Sequence, residues 1–137
     1  NRAILIYKNA EQLKLGYSYN LLINQIYNYN GLKEIKEFVI LNELEKNNDY
    51  KFLYLDGNNI DLSNCKYENE IITNLRGIIK KSNLYLENGK MIKIYTNNKN
   101  ILPKNTEKIT IISGHLAIYR GNIQIILYST SDFKIGF

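Results

Sequence analysis

A chain of 137 residues, 45% hydrophobic and with a net charge of +5, suffices for one domain or two small ones and is not compositionally disordered. Its single cysteine and single histidine exclude an internal disulfide and a Cys/His zinc site, and no apolar run reaches the ~18 residues of a membrane-spanning helix. The charge is divided: Asn1–Glu70 holds eight Lys/Arg against ten Asp/Glu, and Ile71–Phe137 ten against three. The basic character thus belongs to the second half, which points to a polyanionic partner or to a solvated basic surface.

The chain opens on a strand-like run, "AILIY" (Ala3–Tyr7), with no initiating Met and no signal peptide ahead of it, as expected of a fragment or processed form. "NAEQLKLG" reads as one helical turn ending at Gly16. Strand patterns rich in Ile, Leu and Tyr follow at Tyr19–Tyr29, Leu32–Leu41, Lys51–Leu55, Glu70–Lys80, Asn83–Asn88, Lys90–Thr96, Lys108–Tyr119 and Ile123–Tyr128. The spacing over Glu34–Lys46 also admits a helix, against which strand followed by loop is preferred. Turn residues bound most runs, at Asp56–Asn59, Asn97-Asn98 and Arg120–Asn122. Asn88-Gly89 predicts a two-residue hairpin of type I′, with positive φ at both central residues. The expectation is an all-β chain, sandwich or barrel.

A shift of 90 residues lays "GYSYNLLINQIYNYNGLKEI" (Gly16–Ile35) on "TEKITIISGHLAIYRGNIQI" (Thr106–Ile125) without a gap. Tyr29 falls on Tyr119, Gly31 on Gly121 and Ile35 on Ile125, and "AILIY" falls on "MIKIY" with a two-residue offset. Each unit reads strand, link, long strand, Tyr-x-Gly turn, strand. The second has two further strands ahead of it, giving the five of a small Greek-key barrel, with Gly114 free to bend the long fourth strand. The first unit is expected to lack its two leading strands because the chain begins too late.

"LKLGYSYNLLINQIYNYNGLKEIKEF", "YENEIITNLRGIIKKSNLYL" and "KITIISGHLAIYRGNIQIILYSTSDFKI" together resemble the tandem OB-fold modules of surface and secreted proteins of Bacteroidetes. They are also similar to OB-like domains attached to extracellular bacterial nucleases. The resemblance implies an OB-fold-like five-stranded Greek-key barrel in two consecutive units, a partial one at 1–55 and a complete one at 56–137. It also implies a cell-surface or secreted location and further domains in a longer chain. One larger β-sandwich is the alternative architecture.

An OB barrel binds oligonucleotides or oligosaccharides on the face of its second and third strands, framed by two loops. In the second unit these positions hold Lys80, Lys81, Tyr85, Lys90, Lys93, Tyr95 and Arg120. Lysines would follow a phosphate backbone and tyrosines would stack on bases. Alternation puts Lys93 and Tyr95 on one face and Ile92 and Ile94 on the other. The same residues are also what keeps an ordinary strand face soluble. The expected function is a non-enzymatic module binding single-stranded nucleic acid; the alternative is a structural or interaction module binding glycan or protein. A nuclease accessory role is a third reading.

No catalytic constellation, cofactor or metal is read from the chain. His115 in "SGHLAIY" has no visible acid–base partner and reads as a barrel residue. Cys65 has Lys66 beside it but no histidine motif. "DGNNID" (Asp56–Asp61) lacks the EF-hand spacing and reads as a polar turn.

Overall fold

The computed structural model describes residues 2–46 and 49–137. They form an all-β structure in two sheets, interrupted only by short 3-10 turns. The first sheet holds β1 (Leu5–Ile6), β2 (Tyr17–Tyr29) and β3 (Leu32–Lys46), in the order β1-β3-β2. The second holds β4 (Leu55–Asp56), β5 (Ile71–Thr73), β6 (Arg76–Lys80), β7 (Asn83–Leu86), β8 (Met91–Tyr95), β9 (Lys108–Ile111), β10 (Gly114–Tyr119), β11 (Asn122–Ile126) and β12 (Phe133–Ile135). Its order is β12-β9-β6-β7-β8-β11-β10-β5-β4.

Several local expectations are revised. β3 continues as strand to Lys46, because pairing with β2 runs as far as Tyr17–Lys46 and leaves no room for a loop or helix. Of "KFLYL" only Leu55 enters a strand, the short β4. Tyr50–Leu53 turns as a 3-10 segment, with the Tyr50 and Tyr54 rings 6.1 Å apart across the turn. The loop at Asn88-Gly89 has three residues, Glu87 to Gly89. Leu86 N–H donates to the carbonyl of Lys90 at 2.8 Å, and only Gly89 takes a positive φ. The Asn88 side chain accepts the N–H of Lys90, so asparagine here closes an Asx turn and does not supply a left-handed residue. Type I′ geometry is found at Asn30-Gly31, Lys81-Ser82 and Arg120-Gly121, each pair with positive φ at both positions.

The long runs Glu70–Lys80 and Lys108–Tyr119 are each broken in the middle, and the breaks face one another. β5 pairs with β10 through Ile71–His115 and Ile72–Gly114, and β6 with β9 through Arg76–Thr110 to Ile78–Lys108. All these pairs share one register. Between them the N–H of Ile111 donates to Leu75 and that of Asn74 to Ile111. Asp132 serves the other side of the break, its carbonyl accepting the N–H groups of both Ile112 and Ser113. Gly114 restarts the strand where a Cβ would lie 2.7 Å from Ile125 Cγ2 and 2.9 Å from Ile111 Cγ2, so the closest approach of three strands requires glycine there.

Inward residues of these strands make the core. Ile72, Ile79, Leu84, Ile94, Ile109, Ile111, Leu116, Ile125 and Leu127 are almost fully buried. Burying such aliphatic side chains contributes roughly 1.5–3 kcal/mol each before the opposing chain entropy.

The two hairpins with Tyr-x-Gly turns have one register. Tyr29–Leu32, Asn28–Lys33, Tyr27–Glu34 and Ile26–Ile35 become, on adding 90, Tyr119–Asn122, Ile118–Ile123, Ala117–Gln124 and Leu116–Ile125. The parallel pairs Leu5–Glu34 and Ile6–Ile35 correspond likewise to Lys93–Gln124 and Ile94–Ile125.

The first hairpin docks by its tip on the second sheet. Leu32, Ala117 and Ile118 form a small buried cluster with Leu5, Ile123 and Ile126 packed against it. Arg120 N–H donates to the carbonyl of Asn30, and Asn69 Nδ2 donates to that of Lys33. His115 lies behind Asn69 and is 4% exposed. Its Nε2 is 2.8 Å from Asn69 Oδ1 and its Nδ1 2.6 Å from the Tyr128 hydroxyl. Oδ1 only accepts, so Nε2 carries the proton and Nδ1 accepts from Tyr128.

Candidate nucleic-acid interface

β6, β7 and β8 form a meander whose inward positions, Ile79, Leu84, Ile92 and Ile94, are buried in the core. Strand alternation therefore turns Ile78, Lys80, Asn83, Tyr85, Met91, Lys93 and Tyr95 outward. The pairing arranges them in two rungs across the face. One runs Lys108–Ile78–Tyr85–Met91 and the other Lys80–Asn83–Lys93–Gln124. Directly opposed residues lie within contact range of long side chains. No strand position on this face carries a carboxylate.

Tyr85 and Tyr95 are 38% and 41% exposed, the half-buried state that leaves a ring face available. The ammonium of Lys80 stands 5.3 Å from the centre of the Tyr85 ring. The Tyr95 hydroxyl donates to Asn97 Oδ1 at 2.8 Å, which fixes that ring.

Lys80, Tyr85, Lys93 and Tyr95 are thus brought together. The other three candidates lie at the ends of the strands. Lys81 occupies the β6–β7 turn with φ 49°, its N–H held by Asn105 Oδ1. That turn flanks the end of β8, since Ser82 accepts from Ile94 N–H. Lys90 stands at the opposite end, in a cleft of about 960 Å³ that it shares with Arg76, Glu87, Asn88 and Asn122. Glu87 sits in that loop, beyond the strand. Arg120 is in the β10–β11 turn, whose Gly121 lines the same cleft. Its guanidinium lies 5.2 Å from the Tyr119 ring, and its backbone is bonded to the first hairpin.

The first sheet covers one side of the outer surface. Ala117 and Gln124 oppose each other and are 1% and 8% exposed although they alternate with core residues. The face of β6–β7–β8 is the side left open. Lys108 and Met91 belong to it and were not singled out in the sequence. The signal exists only across strands, in the register that sets Lys108 opposite Ile78.

Two carboxylates near the cleft are tied into turns. Asp56 accepts from the backbone and side chain of Asn58 and from Asn74, bonds that hold its carboxyl below the usual range. The Ser63 hydroxyl and N–H do the same for Asp61, helped by Lys90 and Lys66. Among the described residues no cluster of His, Cys, Asp and Glu could hold a metal ion. Burial pushes His115 down to about 4. Cys65 is exposed and free. No helix is long and apolar enough to cross a membrane among the described residues. Comparisons with family models, curated proteins and solved structures return no match to this chain.

Proposed function

We propose that residues 71–126 form an OB-type five-stranded barrel and that the barrel binds single-stranded nucleic acid on the outer face of β6–β7–β8. The barrel reading rests on the cyclic order of the pairings. The stretch 71–80 pairs with 83–86, that with 91–95, that in parallel with 122–126, that with 114–119, and 108–115 again with 71–80. This is a Greek-key order, and β7 and β8 are its second and third strands. The equal registers of the two hairpins support reading 1–55 as a partial copy of the same unit.

The observation that carries the binding reading is the pair of rungs. They set three lysines around Tyr85, with Tyr95 two residues beyond Lys93 and no carboxylate between. Cations track phosphates, and each exposed ring adds about 1–3 kcal/mol by stacking on a base without regard to sequence. The chain acts in this reading as a binding module without catalytic chemistry, since its one histidine is spent on two structural bonds.

Titration of labelled oligo-dT at two salt concentrations tests it. Affinity is expected to fall steeply with salt, and Lys93→Glu or Tyr95→Ala to weaken it. Absence of binding at low salt would sink the proposal. The cleft beside Lys90 favours a second reading. Its amides Asn58, Asn74, Asn88 and Asn122 over an apolar floor of Leu62 and Ile92 suit a glycan, which a glycan-array screen would reveal.

A further inference from the structure

The first sheet has two open edges. Among the described residues β1 and β2 each pair only with β3. Their counterparts in the second sheet have both edges filled. β8, the counterpart of β1, pairs on its far side with β7. The stretch 108–119, the counterpart of β2, pairs on its far side with 71–80. The strands that fill the two edges are consecutive and joined by the Lys81-Ser82 turn, so a single β-hairpin does both jobs.

Exposure follows the same division. Ile26 is 58% exposed where Leu116 is 1%, and Ile4 is 41% exposed where Ile92 is 7%. An edge of 13 residues with apolar side chains on a half-covered face is the kind of edge that proteins otherwise cover or blunt.

We infer that the three-stranded sheet is an acceptor site for a two-stranded antiparallel β-hairpin supplied by a separate segment. One strand of the donor pairs antiparallel with β2 and the other antiparallel with β1, as 71–80 and 83–86 do in the second sheet. Its inward positions are aliphatic, like Ile72, Ile79 and Leu84. Backbone bonds along both edges supply affinity, and the alternate aliphatic side chains supply register.

A second copy of the chain fits less well. Its own 71–86 hairpin is held in its core, with Ile72, Ile79 and Leu84 at 1% exposure or less. Pairing of β2 with β2 between two copies would leave β1 open on both.

Two probes and one readout test this. The probes are a synthetic peptide of residues 70–87, added to the full chain, and a second copy of residues 70–90 fused ahead of Ala3. The readout is hydrogen–deuterium exchange, with sedimentation to give the mass. The expected result is slower exchange, tenfold or more, at β1 and β2 with either probe. Exchange within 71–126 should be unchanged, and Ile26→Lys should abolish the effect. Unchanged exchange at β1 and β2 with both probes overturns the inference. So does a chain that dimerises alone with β2 protected, a dimer that Ile26→Lys dissociates; the occupant is then a second copy.

Discussion

The N–H of Arg120 donates to the carbonyl of Asn30 at 2.8 Å. Each is the first central residue of a type I′ turn, with φ 49° and 50°, so the two hairpins meet tip to tip through equivalent residues. The equivalence ends at the glycines that follow. A Cβ on Gly31 would meet Ile118 Cγ2 at 3.0 Å, whereas one on Gly121 would meet nothing within 4 Å.

Gly31→Ala is therefore expected to destabilise by about 2–3 kcal/mol and Gly121→Ala by about 1–2 kcal/mol, the second through backbone strain alone. Urea unfolding of the two variants compares them. Equal losses would mean that the tips are not packed together in solution.

His115 gives stability a pH dependence. In the unfolded chain it takes a proton near 6.5, and in the fold only near 4, because burial disfavours the cation. Its contribution is complete above pH 6.5 and is lost as the pH falls towards 4, on the order of 3 kcal/mol over the window. Glu34, raised by burial, acts in the opposite direction, and Asp56 and Asp61, held low, matter only below the window. Chemical denaturation at pH 7 and pH 4.5 should show the loss in the native chain and a much smaller one in His115→Gln. An equal loss in both would assign the effect elsewhere.

Lys108 should act as one of the binding lysines. It stands in the rung with Tyr85 although it lies on β9, 23 residues beyond that tyrosine in sequence. Lys108→Glu is expected to weaken oligo-dT binding about as much as Lys93→Glu and to lower the salt slope by about 1. Lys14→Glu, in the loop ahead of β2, should leave binding unchanged. If only Lys93→Glu weakens binding, the rung is not the contact surface.

The strand content and the Tyr-x-Gly turns were legible because each is written locally, in alternation and glycine. Lys93 and Tyr95 could be placed on one face by the same alternation. Lys108 could not, because register between strands depends on bulges and turn lengths that the sequence does not print. The three-residue loop at Asn88-Gly89 shows this: Asn-Gly permits type I′, but the Asx turn to Lys90 took its place. "KFLYL" has strand composition, yet most of it lies in a turn across which the Tyr50 and Tyr54 rings stand 6.1 Å apart. The covered state of Gln124 was equally out of reach, since it depends on where the first hairpin lands.

Asp132 holds the broken strand together from outside. Its Oδ1 accepts the Ser113 hydroxyl at 2.6 Å, and its Oδ2 the N–H groups of Tyr128 and Ser129. Asp132→Ala is expected to cost about 2–3 kcal/mol, more than the ~1 kcal/mol of an ordinary cap, because three donors lose their acceptor together. Thermal unfolding would show it. A loss under about 1 kcal/mol would mean that water replaces the carboxylate at all three.

The order of folding follows from how far apart in sequence the joined residues lie. The pairs Tyr29–Leu32 and Tyr119–Asn122 close over two-residue turns, a matter of roughly 1–10 μs for a hairpin. The ladder of 71–80 with 108–115 ends beside the His115–Asn69 bond, which spans 46 residues, and must wait for a long loop to close. The hairpin tips are expected to form before they meet, with the distant ladder setting the pace. At Gly114, which pairs with Ile72 in that ladder, an added Cβ would lie 2.7 Å from Ile125 Cγ2 and 2.9 Å from Ile111 Cγ2. Gly114→Ala should therefore slow refolding, while Gly31→Ala mainly speeds unfolding. Stopped-flow traces in which both changes slow refolding equally would place tip docking in the rate-limiting step instead.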